Sequence, residues 1–145
     1  MSTQQKAIRD AIFARLTAQM PGSNIYRSPR WSIDDSKIAP GTLCLFSHGD
    51  RPATSEDDHS GRHERIYTVR IECIANGRPE EDATDGLAIA VRRALLTDDS
   101  LTDSGALALT RRITWNGQVW SGDEGEPVQA LTGLDFDCYY LWSPE

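Results

Sequence analysis

Arg65-Ile66-Tyr67-Thr68-Val69-Arg70-Ile71-Glu72-Cys73-Ile74-Ala75 passes through Asn76-Gly77-Arg78-Pro79 into a helical stretch that ends near Leu96. Successive side chains of a strand point to opposite faces. Tyr67, Val69, Ile71 and Cys73 therefore share a core face, while Ile66, Thr68, Arg70 and Glu72 share a mixed face carrying opposite charges. A long strand feeding a helix that lies back on it is the spine of an α+β domain.

The neighbouring segments extend that spine. Ala7, Ile8, Ala11, Ile12 and Leu16 recur at helical spacing, Ser2 and Gln5 form a capping-box pattern, and Pro21-Gly22 ends the helix. A short strand is expected around Ile25-Tyr26-Arg27. Thr42-Leu43-Cys44-Leu45-Phe46 is nearly continuous in apolar character, as an inner strand is. Ser47 to Arg62 is polar and reads as a long arm. The second helix is expected from near Asp82, with Asp82 and Asp85 at its positive end, Leu87, Val91, Ala94 and Leu95 buried, and Arg92-Arg93 near its C-terminus. Leu101 tucks under a polar turn. Ala106 to Trp115 is a further strand, Asn116-Gly117 signals a tight hairpin, Val119-Trp120 returns, and Val128 to Leu141 alternates as the last strand.

The expected fold is thus α+β, a single antiparallel or mixed β-sheet packed by two helices in the order α-β-β-(long arm)-β-α-β-β. Its 145 residues form one domain, with a mobile hairpin arm at about residues 47–63. No apolar run approaches the roughly 20 residues of a membrane helix, and the N-terminus lacks the apolar stretch of a secretory signal, so a cytoplasmic site of synthesis is expected. Cys44, Cys73 and Cys138 each sit in an apolar strand and read as core thiols. The net charge of -7 is uneven: residues 1–46 sum to +3, leaving the remainder strongly acidic. Such a surface disfavours sequence-specific nucleic-acid binding and suits two faces that meet different protein neighbours.

Chemistry is sparse. His48, His59 and His63, near Asp57 and Asp58, supply zinc-type ligands, yet Gly61 and the surrounding polarity place them on a solvated loop. The carboxylate groups Asp34-Asp35, Glu80-Glu81-Asp82, Asp98-Asp99 and Asp123-Glu124 sit at turns and helix starts. No glycine pattern cradles a phosphate. Trp31, Trp115, Trp120 and Trp142 fit core packing and subunit contact, with Trp120 and Trp142 expected to be partly exposed. No catalytic residue, metal or cofactor is expected.

Several stretches together resemble the tail terminator proteins of tailed phages, also called minor tail protein U. They are the N-terminal helix, the Arg65 to Ala75 strand, the helix start Glu80-Glu81-Asp82-Ala83-Thr84-Asp85-Gly86-Leu87-Ala88, the helix exit Ala94-Leu95-Leu96-Thr97-Asp98-Asp99-Ser100-Leu101, and the strand Leu134-Asp135-Phe136-Asp137-Cys138-Tyr139-Tyr140. The resemblance implies a structural virion protein, assembled in the host cytoplasm. It forms a ring, hexameric in that family, that caps the tail tube, stops its polymerisation and joins the head. Implied partners are other copies of the chain, the tail tube protein and the head-tail connector or neck protein, with a lumen through which DNA can pass. Arg51, Glu56, Asp57, Asp58, Arg62, Arg65, Arg70 and Glu72 are the candidate residues for subunit or tail-tube contact. The alternatives are another neck or tail-completion protein of the same fold, and a small metal- or ligand-binding enzyme using His48, His59 and His63.

Overall fold

The computed structural model describes residues 3–29, 33, 41–53, 63–76, 84–98, 101–102, 108–123 and 129–142. Along the chain run α1 (Thr3–Gln19), β1 (Asn24–Tyr26), β2 (Thr42–Pro52), β3 (His63–Asn76), α2 (Asp85–Leu96), β4 (Arg112–Asp123) and β5 (Gln129–Trp142). They build one five-stranded sheet in the order β1-β2-β3-β5-β4. Only β1 and β2 run parallel, so the sheet is mixed.

Both helices cover the same sheet face. Ile8, Ile12 and Leu16 of α1 and Ala88, Val91, Ala94 and Leu95 of α2 join Leu43, Leu45, Tyr67, Val69, Ile71, Cys73, Leu134, Phe136, Cys138 and Tyr140 in one buried cluster. The register puts Ile71 opposite Leu134 and Val69 opposite Phe136, as the alternation of β3 and β5 requires. On the other face Cys44 and Ile74 form a small second cluster with Tyr26, Ile33 and Leu131. Leu43 and Cys44 are therefore buried on opposite sides of one strand, which is why their segment reads as continuously apolar. Leu101 is buried, and its amide donates to Thr110 Oγ1 at 3.1 Å.

Three sequence expectations are corrected. Ser47 to Pro52 is not a loop but the second half of β2, and β3 begins at His63; residues 54–62 of the expected arm lie outside the described residues. The polar side chains there find partners across the sheet, and Gly49, with φ 154°, takes the backbone through a register shift between Ser47 and Gly49. Asn116-Gly117 is likewise no hairpin turn. β4 runs straight through it with one extra residue between the Trp115–Phe136 and Gly117–Asp135 pairs. A tight primed turn would need both central residues at positive φ, whereas a bulge needs only one inserted residue. Finally, β4 starts at Arg112, later than expected: Ala106 lies outside the described residues, Thr102 pairs with Ala108, and the Leu109 amide donates to Leu101 O at 2.7 Å. Ser2 and Asp82, the expected helix-start residues, lie outside the described residues.

Candidate interaction surface

The sheet face turned away from the helices carries a belt of paired charges. Register brings Thr68 opposite Asp137 and Arg70 opposite Asp135. Arg70 grips Asp135 with two parallel bonds, Nε to Oδ1 at 2.8 Å and Nη2 to Oδ2 at 2.9 Å. Such a fork fixes geometry as well as adding energy. Hydrogen bonding to Asp135 raises the Arg70 pKa further above its ordinary value. The Arg70 side chain passes over Gly133, where a Cβ would stand 3.6 Å from Arg70 Cδ, an ordinary van der Waals contact.

Further along, Arg51 Nη2 donates to Asp137 Oδ2 at 2.9 Å and Arg51 Nη1 to Thr68 Oγ1 at 3.0 Å. Thr68 Oγ1 in turn donates to Asp137 Oδ1 at 2.7 Å. Asp137 is only 4% exposed, so this triad holds a buried carboxylate. The Arg112 guanidinium lies over the Tyr139 ring at 4.0 Å. Cations and carboxylates alternate across the belt, so it offers no continuous positive track to a nucleic-acid backbone.

Asp50, next to Arg51, does the corresponding work on the helix side. It accepts from Gln5 Nε2 at 2.6 Å, from the Tyr140 hydroxyl at 2.6 Å, and from Arg65 Nε. Burial first, then the hydrogen bond to Asp50, pushes the Tyr140 hydroxyl up to about 12. The Asp50 hydrogen bond also raises the Arg65 pKa. Neighbouring residues of β2 are thereby fastened on both faces of the sheet, to β3 and β5 on one and to α1, β3 and β5 on the other.

A third region lies along α2 and β4. Ile89, Leu96, Trp115, Val119 and Trp120 are exposed apolar side chains on these two elements, whereas Leu141 and Trp142 stand at the end of β5. The Arg92 guanidinium lies 4.4 Å above the Trp115 ring. Trp120 and Trp142 are partly exposed as the sequence suggests, and Trp115 is equally so.

Of the residues expected at an interface, Arg51, Arg70 and Glu72 share the open face, with Glu72 facing Cys44 and Gly133 in register. Arg65 lies on the helix side. Glu56, Asp57, Asp58 and Arg62 lie outside the described residues, as do His59 and the side chain of His63; His48 is exposed on β2. Each described arginine of the set has a carboxylate partner within the chain: Asp137 for Arg51, Asp50 for Arg65 and Asp135 for Arg70. Sequence reasoning missed these partners. The alternation Leu134, Phe136, Cys138, Tyr140 already places Asp135 and Asp137 on the open face, which was the available signal. Among the described residues no three His, Cys, Asp or Glu side chains are gathered to hold a metal ion.

No protein-family model and no curated protein matches the chain. Solved structures do resemble it. It superposes on a chain of the virion of a native gene transfer agent particle with a TM-score of 0.69 at 15% identity, covering 98% of this chain and 100% of the other. A second solved chain gives a TM-score of 0.54 at 16% identity, covering 99% of this chain and 100% of that one. At these identities the likeness is one of fold, and it takes in both helices and the whole sheet.

Proposed function

We propose that this chain is a structural subunit of a phage-like virion. It acts as a tail terminator: a ring of subunits, six in this reading, caps the tail tube, stops its polymerisation and presents the surface that joins the head. The observation that carries the reading is the end-to-end likeness to a chain of a gene transfer agent virion, with neither chain extending far beyond the other. The element order that resembles tail terminators points the same way. The role is assembly and not catalysis, with other copies of the chain, the tube protein and the neck protein as partners, and DNA passing through the lumen.

Within this reading Glu56, Asp57, Asp58 and Arg62 meet a neighbouring subunit or the tube. Arg51, Arg65 and Arg70, whose charges are paired inside the chain, tie β2, β3 and β5 together behind that contact. Glu72 adds a half-buried carboxylate to the same face. Charged rims of this kind set register and encounter more than affinity.

The test is deletion of the gene from a particle-producing genome, with tails measured by electron microscopy. Tails of uncontrolled length without heads are expected, restored by the wild-type chain. Tails of normal length lacking heads would indicate a neck or tail-completion protein. Normal tails joined to heads would overturn a role in assembly. Removal of residues 55–61 is expected to impair capping while the domain stays folded.

A further inference from the structure

Among the described residues β4 is an edge strand, with β5 on one side and no strand on the other. Its pairing is interrupted at one point: Trp115 stands opposite Phe136 and Gly117 opposite Asp135, so Asn116 is the inserted residue with no partner across the ladder. A bulged residue is left out of the cross-strand bonds, and its backbone turns at local cost only. Asn116 is exposed. Gly117 follows it without a side chain, and nothing lies within 4 Å of where a Cβ would stand. The Trp115 indole bridges across the projecting asparagine, donating from Nε1 to Gly117 O at 2.9 Å.

We propose that Asn116-Gly117 is a self-deamidation site that reacts in the folded subunit. The Gly117 backbone nitrogen gives up its proton to solvent base and attacks Asn116 Cγ, forming an N–Cγ bond. The Cγ–Nδ2 bond breaks, and Nδ2 takes protons from water and leaves as ammonia. Water then opens the cyclic imide at either carbonyl, giving aspartate or, where the backbone now runs through Cγ, isoaspartate. No atom changes oxidation level, and water is the only co-reactant. The other asparagines differ in kind. Asn24 precedes Ile25, whose branched side chain crowds the attacking nitrogen, and both are paired with β2. Asn76 stands opposite Gln129 on β3, an inner strand. Either product sets a carboxylate at the middle of the β4 edge, between the exposed Trp115 and Val119. Charge on a sheet edge opposes pairing with a further strand. The chain thus carries a one-way, time-dependent mark that blunts its own free edge.

The full chain held at mildly alkaline pH, native in one series and unfolded in urea in another, tests this by peptide mass spectrometry that separates aspartate from isoaspartate. Native conversion at Asn116 is expected within about tenfold of the unfolded rate, which is less than about 1.4 kcal/mol of protection. It should rise with pH and yield both products, while Asn24 stays intact over the time in which half of Asn116 converts. Gly117→Val fills open space at an edge position whose φ is not left-handed, and β-branched residues suit strands, so it should fold and abolish the reaction. Circular dichroism checks the fold. Asn116→Asp should co-elute with the aspartate product on anion exchange. Native protection beyond about tenfold would mean that the bulge holds Asn116 as a regular ladder would, and would overturn the proposal. Unchanged conversion in Gly117→Val, or aspartate as the sole product, would mean direct hydrolysis and would overturn it equally.

Discussion

Arg51 and Asp137 lie 86 residues apart in sequence and meet at 2.9 Å on the open face of the sheet. The pair is asymmetric: the Arg51 side chain is about half exposed, while that of Asp137 is almost fully covered. Removing the arginine therefore leaves a shielded carboxylate with Thr68 as its remaining side-chain donor, whereas removing the carboxylate frees an arginine that can turn to water.

Arg51→Ala is accordingly expected to destabilise the fold by about 2 kcal/mol, less than a fully buried pair would cost because half of the arginine is already solvated. Asp137→Ala should cost about 1 kcal/mol, chiefly through the lost Thr68 bond. The double variant should cost less than the two added together, since each single change removes the same interaction. Urea unfolding of the three proteins measures this; strict additivity would mean that the pair is not coupled.

Tyr140 gives a pH signature. Its hydroxyl is held up to about 12, against an ordinary value of 10.0, by burial and by donation to Asp50. A raised folded-state pKa stabilises fully below the unfolded value, and that contribution is lost as pH rises through the folded one. Stability should therefore decline between about pH 10 and 12. Tyr140→Phe should lower stability at neutral pH by about 1 kcal/mol and flatten the alkaline decline. Unfolding midpoints at stepped pH decide it, and an equally steep decline in the variant would assign it to another group, such as the buried Tyr67, whose pKa burial also raises.

How far the sequence discloses this molecule depends on the range of the signal. Core positions of β3 and β5 are legible because burial on one face imposes a period of two, and Tyr67, Val69, Ile71, Leu134 and Phe136 are all buried as that period requires. The second half of β2 is not legible, because Ser47 to Pro52 is polar and is held by partners distant in sequence, among them Gln5, Tyr140 and Asp137. Asn116-Gly117 is misread for the opposite reason: its local turn preference is strong, but continuous pairing of β4 with β5 outweighs it. The exposed side chains along α2 and β4 escape notice because Ile89 and Leu96 lie off the buried stripe of α2, and Arg92 reaches Trp115 only once helix and sheet are packed.

Gly41 enters β2 with φ 80°, in the left-handed region that side chains with a Cβ rarely adopt. Space is not the limit, for nothing lies within 4 Å of a Cβ built there. Gly41→Ala should therefore destabilise by about 1 kcal/mol through backbone strain alone, and Gly41→Asn by less, since Asn tolerates this region. Gly133→Ala is the comparison, with ordinary φ and only van der Waals contact to Arg70. Thermal melts of the three separate strain from crowding, and a larger loss at Gly133 would reverse the assignment.

The three cysteines report on the core from within. Cys73 and Cys138 face the helices, and burial pushes both thiols up to about 12. Because the thiolate is the reacting form, neither should react with a disulfide reagent at neutral pH unless the sheet opens. Cys44 is buried on the other face, beneath the smaller cluster with Tyr26, Ile33 and Leu131. Among the described residues less apolar structure must part to reach it, so it should label first, with Cys73 and Cys138 following at the rate of global opening. Mass spectrometry of partially labelled protein resolves the order. Labelling of Cys138 ahead of Cys44 would mean that the helix layer lifts from the sheet more readily than the cover on the opposite face.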